Sequence, residues 1–105
     1  MPESSKKYTV KITETAWDML ISHAHFLANV SVSAANGLID TFVEMTDSLS
    51  AMPERNPWLE NDTISFQKYR KFILGKYYIA VYEINGNDVY ISAVVDSRQD
   101  YGWML

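Results

Sequence analysis

The chain has 105 residues, enough for one ordinary domain and too few for two, so we expect residues 1–105 to form a single domain. Hydrophobic residues make up 48% of the sequence and charged residues 21%, which is typical of a folded soluble protein and unlike a disordered one. There is no cysteine and no apolar run of membrane-spanning length, which excludes disulfides and thiolate metal sites and predicts a cytoplasmic protein without membrane contact.

The net charge of −4 disfavours a general nucleic-acid binder, because phosphate affinity depends on clustered lysine and arginine. The charges are unevenly distributed along the chain. Between Ile12 and Glu54 there is no lysine or arginine, whereas the stretch from Thr63 to Tyr82 has no acidic residue and four basic ones: Lys68, Arg70, Lys71 and Lys76. This pattern predicts acidic helices and one basic patch.

The first half of the sequence predicts a strand and two helices. Apolar residues alternate over Tyr8–Ile12, the period of a half-buried strand. Thr13 is a suitable N-cap for a helix. Apolar residues at three- and four-residue spacing predict that this helix extends to about Asn29. Ser31 or Ser33 then caps a second helix with an apolar stripe made of Ala35, Leu38, Ile39, Phe42, Met45, Leu49 and Met52. The short connection makes the two helices a hairpin.

A proline-containing loop follows, and three strands are predicted after it: Ile64–Ile73, Tyr77–Ile84 and Val89–Val95. The Asn-Gly pair at 85–86 favours a type I′ turn between the last two strands. Within the last strand, period two places these residues on one face: Val89, Ile91, Ala93 and Val95. We expect the residues from Ser97 onward to pack along an edge of the sheet.

The element order is β-α-α-β-β-β. Because the helices separate the first strand from the others, that strand must join the sheet at an edge. The sequence therefore predicts an α+β fold in which a helical hairpin packs on a mostly antiparallel four-stranded sheet.

Metal or cofactor chemistry is not expected. His23 and His25 stand about 200° apart around their helix, so they cannot share a metal ion. The sequence contains no phosphate-cradling glycine loop and no zinc-ligand spacing. Trp58 and Trp103 lie in a loop and in the C-terminal tail, where each could anchor a partner or cover the edge of the core.

The basic third quarter of the chain is the remaining candidate site. Lys68 and Arg70 face one side of their predicted strand and Lys71 faces the other. Arg98, just after the last strand, could converge with Arg70 and Tyr101 to hold a phosphate. The same residues could instead bind a carboxylate-rich protein segment, or simply form a solvated face that blunts edge-to-edge association.

Three stretches carry a resemblance to a known family: residues 69–72 (YRKF), 78–84 (YIAVYEI) and 94–101 (VVDSRQDY), with Pro53 after the second helix. In this order the chain resembles toxins of the RelE/ParE superfamily, the plasmid stabilisation toxins of type II toxin–antitoxin pairs. The resemblance implies a cognate antitoxin that wraps and silences the toxin. It also implies one of two activities: metal-independent cleavage of messenger RNA on the ribosome, as in RelE-like members, or poisoning of DNA gyrase, as in ParE-like members.

The resemblance also suggests roles for individual residues. If the chain is a nuclease, its catalytic set is Arg70, Lys71, Arg98 and Tyr101. Antitoxin or target binding falls to Lys68, Arg70, Arg98 and Trp103, with the basic sheet face docking an acidic antitoxin segment.

Two positions depart from the nuclease pattern, because Ile79 and Phe72 stand where basic side chains are typical. Loss of one transition-state donor costs about 3 kcal/mol of barrier. The sequence therefore favours a ParE-like inhibitor of a protein target. A RelE-like endoribonuclease, a non-toxic binding partner and a homodimer stay open.

Overall fold

The computed structural model describes residues 7–60, 64, 66–99, 101–102 and 105. Its first strand, β1 (Thr9–Ile12), leads directly into the helix α1 (Glu14–Ala28). Thr13 caps this helix as predicted, with its Oγ1 accepting a hydrogen bond from the amide of Ala16 at 3.1 Å.

The second helix, α2 (Val32–Ser48), begins after Ser31, which is the N-cap rather than Ser33. Its Oγ accepts a hydrogen bond from the amide of Ala34 at 3.1 Å. The helix ends before the predicted Met52, which is exposed. Neither α1 nor α2, within the described residues, has the length and apolarity of a membrane span.

A short 3₁₀ helix (Pro53–Arg55) precedes three strands: β2 (Arg70–Leu74), β3 (Tyr78–Asn85) and β4 (Asp88–Asp96). The sheet order is β1-β4-β3-β2, with β1 parallel to β4 and the other neighbours antiparallel. The predicted fold class is confirmed, and β1 lies at an edge as expected.

β3 is buried on both faces of the sheet. Its Tyr78, Ala80 and Tyr82 belong to a helix-side core that also contains Leu20, Ala24, Leu38, Phe42, Leu49, Phe72, Leu74, Val89, Ile91 and Val94. Its Ile79 and Val81 belong to a second core on the opposite face, together with Leu59, Tyr69, Ala93 and Val95. The sheet is therefore the middle layer of the described structure.

A β-bulge in β4 divides that strand between the two cores. Val81 pairs with Ala93, but the next residue of β3 pairs with Ile91, so Ser92 is left without a partner across the ladder. The extra residue inverts the alternation, placing Ala93 on the second core and Ile91 on the helix-side core. The prediction of a single face for the apolar residues of β4 was wrong for this reason.

The turn between β3 and β4 contains Gly86 and Asn87, flanked by the pair Asn85 and Asp88. Only Gly86 has a positive φ, at 63°. A positive φ at the first central position alone is the pattern of a type II′ turn, so the hairpin is confirmed but its predicted type I′ geometry is not.

The predicted strand Ile64–Ile73 is wrong at its start, because β2 begins only at Arg70. Gln67 has a positive φ of 51°, which an extended strand cannot include. The outer edge of β2 is instead covered by residues 57–59, with a bridge between Trp58 and Arg70. In the described part of the tail, Tyr101 packs on the second core.

Two glycines should respond oppositely to alanine. In Gly37→Ala, the added Cβ meets nothing within 4 Å, and helix propensity should stabilise the protein by about 1 kcal/mol. In Gly86→Ala, the positive φ should cost about 1–2 kcal/mol. Urea unfolding at neutral pH measures both, and shifts of the same sign would contradict these backbone assignments.

Candidate functional site

Arg70 is held against the 3₁₀ segment at the edge of the sheet. Its Nη1 donates hydrogen bonds to the carbonyl oxygens of Glu54 at 3.0 Å and Asn56 at 2.7 Å. Its guanidinium carbon lies 3.8 Å from the centroid of the Trp58 ring, in cation–π stacking distance. Because these contacts tie the loop to β2, Arg70 has a structural role here.

Tyr82 anchors the same loop from inside the helix-side core. Its hydroxyl donates to the carbonyl of Pro53 at 2.5 Å and accepts from Nδ2 of Asn56 at 3.2 Å. Burial raises the pKa of the Tyr82 hydroxyl above its ordinary value. The neutral phenol is therefore the form that holds the loop at neutral pH.

Arg98 is paired with a carboxylate at the end of β4. Its Nε and Nη2 donate to the two carboxyl oxygens of Asp96 at 2.9 and 2.6 Å, and its own amide donates to Oδ1 at 2.9 Å. The guanidinium carbon also lies 3.9 Å from the centroid of the Tyr77 ring. The hydrogen bonds from Arg98 hold the pKa of the Asp96 carboxyl below its usual value.

The structure does not bring Arg70 and Arg98 together. Arg70 pairs with Tyr82 on one side of β3, whereas Asp96 pairs with Tyr78, four residues earlier in β3, on its other side. Strand rise and spacing place the backbones of Arg70 and Asp96 roughly 16 Å apart. The two guanidiniums therefore do not form a common phosphate clasp.

The other predicted site residues are dispersed. Lys68 is exposed, with its Nζ 5.1 Å from the centroid of the Tyr69 ring. Lys71 is half-buried, and strand alternation turns it to the opposite face from Arg70. Tyr101 is half-buried against the second core. Trp103 lies outside the described residues.

The two positions that depart from the nuclease pattern are core positions. Phe72 is 2% exposed and packs on the helix-side core, with its ring centroid 6.0 Å from that of Tyr82. Ile79 is 4% exposed and belongs to the second core on the other face. A basic side chain at either position would be buried without a carboxylate partner, which is costly.

Sequence reasoning missed three partners of these side chains: Asp96, Trp58 and the Tyr82 hydroxyl. The Asp-Ser-Arg spacing at the end of β4 was visible and is compatible with the short-range ion pair that forms. Trp58 follows Pro57 in the loop, and its stacking on Arg70 depends on a long-range bridge that local patterns do not show.

Comparison with known proteins places the chain in a family. A family model described as the ParE toxin of the type II toxin–antitoxin system parDE matches residues 10–101. The chain belongs to the ParE toxin family. The resemblance to RelE/ParE toxins read from the sequence is confirmed, and membership of a toxin–antitoxin family implies an antitoxin partner.

A structural comparison agrees with this ParE assignment. A chain of the chromosomal ParDE toxin–antitoxin system from P. aeruginosa matches with a TM-score of 0.66 at 15% sequence identity. The match covers 86% of this chain and 96% of that chain, so the two share a fold over most of their length. A comparison with curated protein sequences gave no match.

Tyr82→Phe should lower the free energy of unfolding by about 1–3 kcal/mol, because the carbonyl of Pro53 loses its buried donor. Tyr90→Phe is the matched control, since that hydroxyl only contacts Asp88 at 3.3 Å in a partly buried position. Urea unfolding at pH 7 measures both changes. Equal losses in the two variants would mean that the Tyr82 hydroxyl does not hold the loop.

Arg98→Ala should weaken the acid sensitivity of the fold. Because the folded-state pKa of Asp96 is depressed, its pairing stabilises the protein above the unfolded value of about 3.9 and is lost as the pH falls through the folded value. Without Arg98 that pKa rises, so the loss of stability between pH 7 and pH 3 should shrink. Urea midpoints at both pH values measure this, with Lys76→Ala as the control; identical pH dependence in all three proteins would contradict it.

Proposed function

We propose that this ParE-family chain is a toxin that inhibits a protein target, DNA gyrase, by direct contact rather than by cleaving RNA. The observation that carries the proposal is the apolar burial of Phe72 and Ile79 in two different cores. These are the positions where the nuclease reading needs basic groups. During RNA cleavage, the reacting phosphate would face apolar side chains at these positions instead of hydrogen-bond donors.

The state of the two arginines supports the same proposal. Transition-state stabilisation needs donors that are directed at the developing charge and are not already satisfied. Arg98 gives two side-chain hydrogen bonds to Asp96, and Nη1 of Arg70 gives two to loop carbonyls, although the buried Nε of Arg70 has no partner among the described residues. The separation of roughly 16 Å between the backbones of Arg70 and Asp96, the residue that Arg98 binds, further weakens a shared role on one phosphate.

The antitoxin surface that we propose is the basic patch at the start of β2, which extends around the edge of the sheet because Arg70 lies on one face and Lys71 on the other. Lys68 is exposed, Lys71 is half-buried, and both lie in the stretch that has no acidic residue. Arg70 and Lys68 line a pocket there with Trp58 and Gln67, and Glu54 contributes one acidic residue to its wall. An acidic antitoxin segment with an apolar or aromatic anchor fits this combination of charge and ring surface.

The activity is tested by expressing the chain alone and by adding the purified protein to gyrase supercoiling reactions. The expected result is growth arrest with intact messages and inhibited supercoiling. The double variant Lys71→Ala/Tyr101→Phe should leave the arrest unchanged, because it removes two residues of the nuclease set while retaining the packed ring of Tyr101.

The chain would instead be an endoribonuclease if messenger RNA is cleaved at ribosomes and this cleavage is lost in the double variant. Absence of any growth effect from a folded, expressed chain would leave a non-toxic binding partner as the function. Thermal unfolding of the purified double variant verifies that a negative result does not arise from misfolding.

The antitoxin surface is tested with Lys68→Glu/Lys71→Glu against the product of the adjacent gene. Reversed charge should weaken complex formation by about tenfold or more, since like charges then meet across the interface. Lys76→Glu, beyond the other end of β2, is the matched control. Unchanged binding by the double variant, or equal weakening by the control, would exclude this patch as the docking surface.

A further inference from the structure

The outer side of the helical hairpin carries an apolar strip, defined here as Trp17 and Ile21 of α1 with Ile39 and Val43 of α2. Their exposed fractions are 39%, 48%, 37% and 47%, so each shows a large part of its side chain to solvent. On each helix the two residues are four apart and therefore lie one turn above each other on the same face. Single exposed apolar residues are ordinary, but a row on two packed helices is not.

Contacts and helical geometry place both halves of the strip along one groove. The ring of Trp17 lies 5.6 Å from that of Phe42, the buried residue that follows Thr41 on α2. At 100° per residue, Ile39 and Val43 lie on the flank of α2 next to Phe42, and Ile21 lies beside Trp17 on α1. The strip therefore follows the seam between the two helices, and apart from the contact of Trp17 with Phe42 its exposed surface faces away from the core.

Acidic side chains border the strip on both helices. Glu14 and Asp18 are exposed on α1, and Asp40, Glu44 and Asp47 are exposed on α2. The stretch from Thr13 to Pro53 has these five carboxylates and no lysine or arginine. The ion pairs in the described part of the chain, Lys11 with Asp88 and Arg98 with Asp96, involve none of them.

The acidic border indicates the charge of the partner that the strip would bind. A second copy in a two-fold arrangement would bring one acidic border against another, and that repulsion disfavours self-association through the strip. A lipid surface with anionic head groups is disfavoured for the same reason. A groove between two antiparallel helices accommodates a third helix, with apolar residues one turn apart facing the seam.

We propose that the strip is a docking surface for a cationic amphipathic helix, whose apolar face covers Trp17, Ile21, Ile39 and Val43 and whose lysines or arginines meet the acidic border. This surface is distinct from the basic patch at the start of β2. It does not rest on the proposed gyrase inhibition, and its test uses neither gyrase nor antitoxin.

The test measures fluorescence anisotropy of a labelled synthetic peptide in which leucines at helical spacing form one face and lysines the rest. The purified chain should bind it, with affinity falling as salt rises. A scrambled peptide of equal composition and a leucine–glutamate peptide should bind at least tenfold more weakly, because one lacks the apolar face and the other repels the border.

Two variants locate the binding. Ile21→Ser/Val43→Ser removes apolar surface and Asp18→Lys/Asp40→Lys reverses the border, and each should weaken binding about tenfold or more. Ile73→Ser and Glu60→Lys are matched controls at exposed positions elsewhere, and should change it less than about twofold. Thermal unfolding verifies that all four proteins are folded.

Equal binding of the scrambled peptide, or equal weakening by the controls, would overturn the proposal, as would absence of binding by the folded wild-type chain. Sedimentation of the free chain provides a further discriminating outcome. A dimer that dissociates in Ile21→Ser/Val43→Ser would assign the strip to a second copy and overturn the cationic partner.

Discussion

The burial of β3 on both faces is the constraint on which the rest of the structure depends. Successive side chains of this strand enter opposite cores, so the hairpin of helices and the covering loop are both positioned against it. From Tyr78 to Tyr82 the strand has no solvent-facing side on which to present charge, and only its end, from Glu83 onward, is partly exposed. The chemistry available to the protein is therefore confined to the ends and edges of the sheet.

Each arginine that the sequence offered for chemistry is part of the scaffold at one of those ends. Arg70 holds the loop before β2 through hydrogen bonds to two carbonyl oxygens and stacking on the Trp58 ring. Arg98 binds the carboxylate of Asp96 at the end of β4. The types of residue in the sequence and their order are what identify the chain with the ParE family. Local environment, rather than residue type, decides what these guanidiniums can bind.

The sequence predicted the element types and the helix caps because those depend on near neighbours. Thr13 and Ser31 satisfy amides three residues away, and the spacing of apolar residues defines both helices. The start of β2 and the faces of β4 could not be predicted, because they depend on the long-range bridge at Trp58 and on pairing across the sheet. The relative placement of Arg70 and Arg98 could not be predicted for the same reason, since it depends on which strands pair and in which register.

The bulge at Ser92 is a position in β4 where the chain could lose one residue without any side chain changing face. Substitutions in this strand change one contact at a time, but removing a single residue at the bulge would restore simple alternation. Because Tyr82 already pairs with Ile91 and Val81 with Ala93, both Ile91 and Val89 would keep their places in the helix-side core. Removal of a residue between Val89 and Ile91, by contrast, would turn Val89 to the opposite face. Insertions and deletions in β4 away from Ser92 should therefore be tolerated far less than a deletion at the bulge itself or changes in the loop before β2.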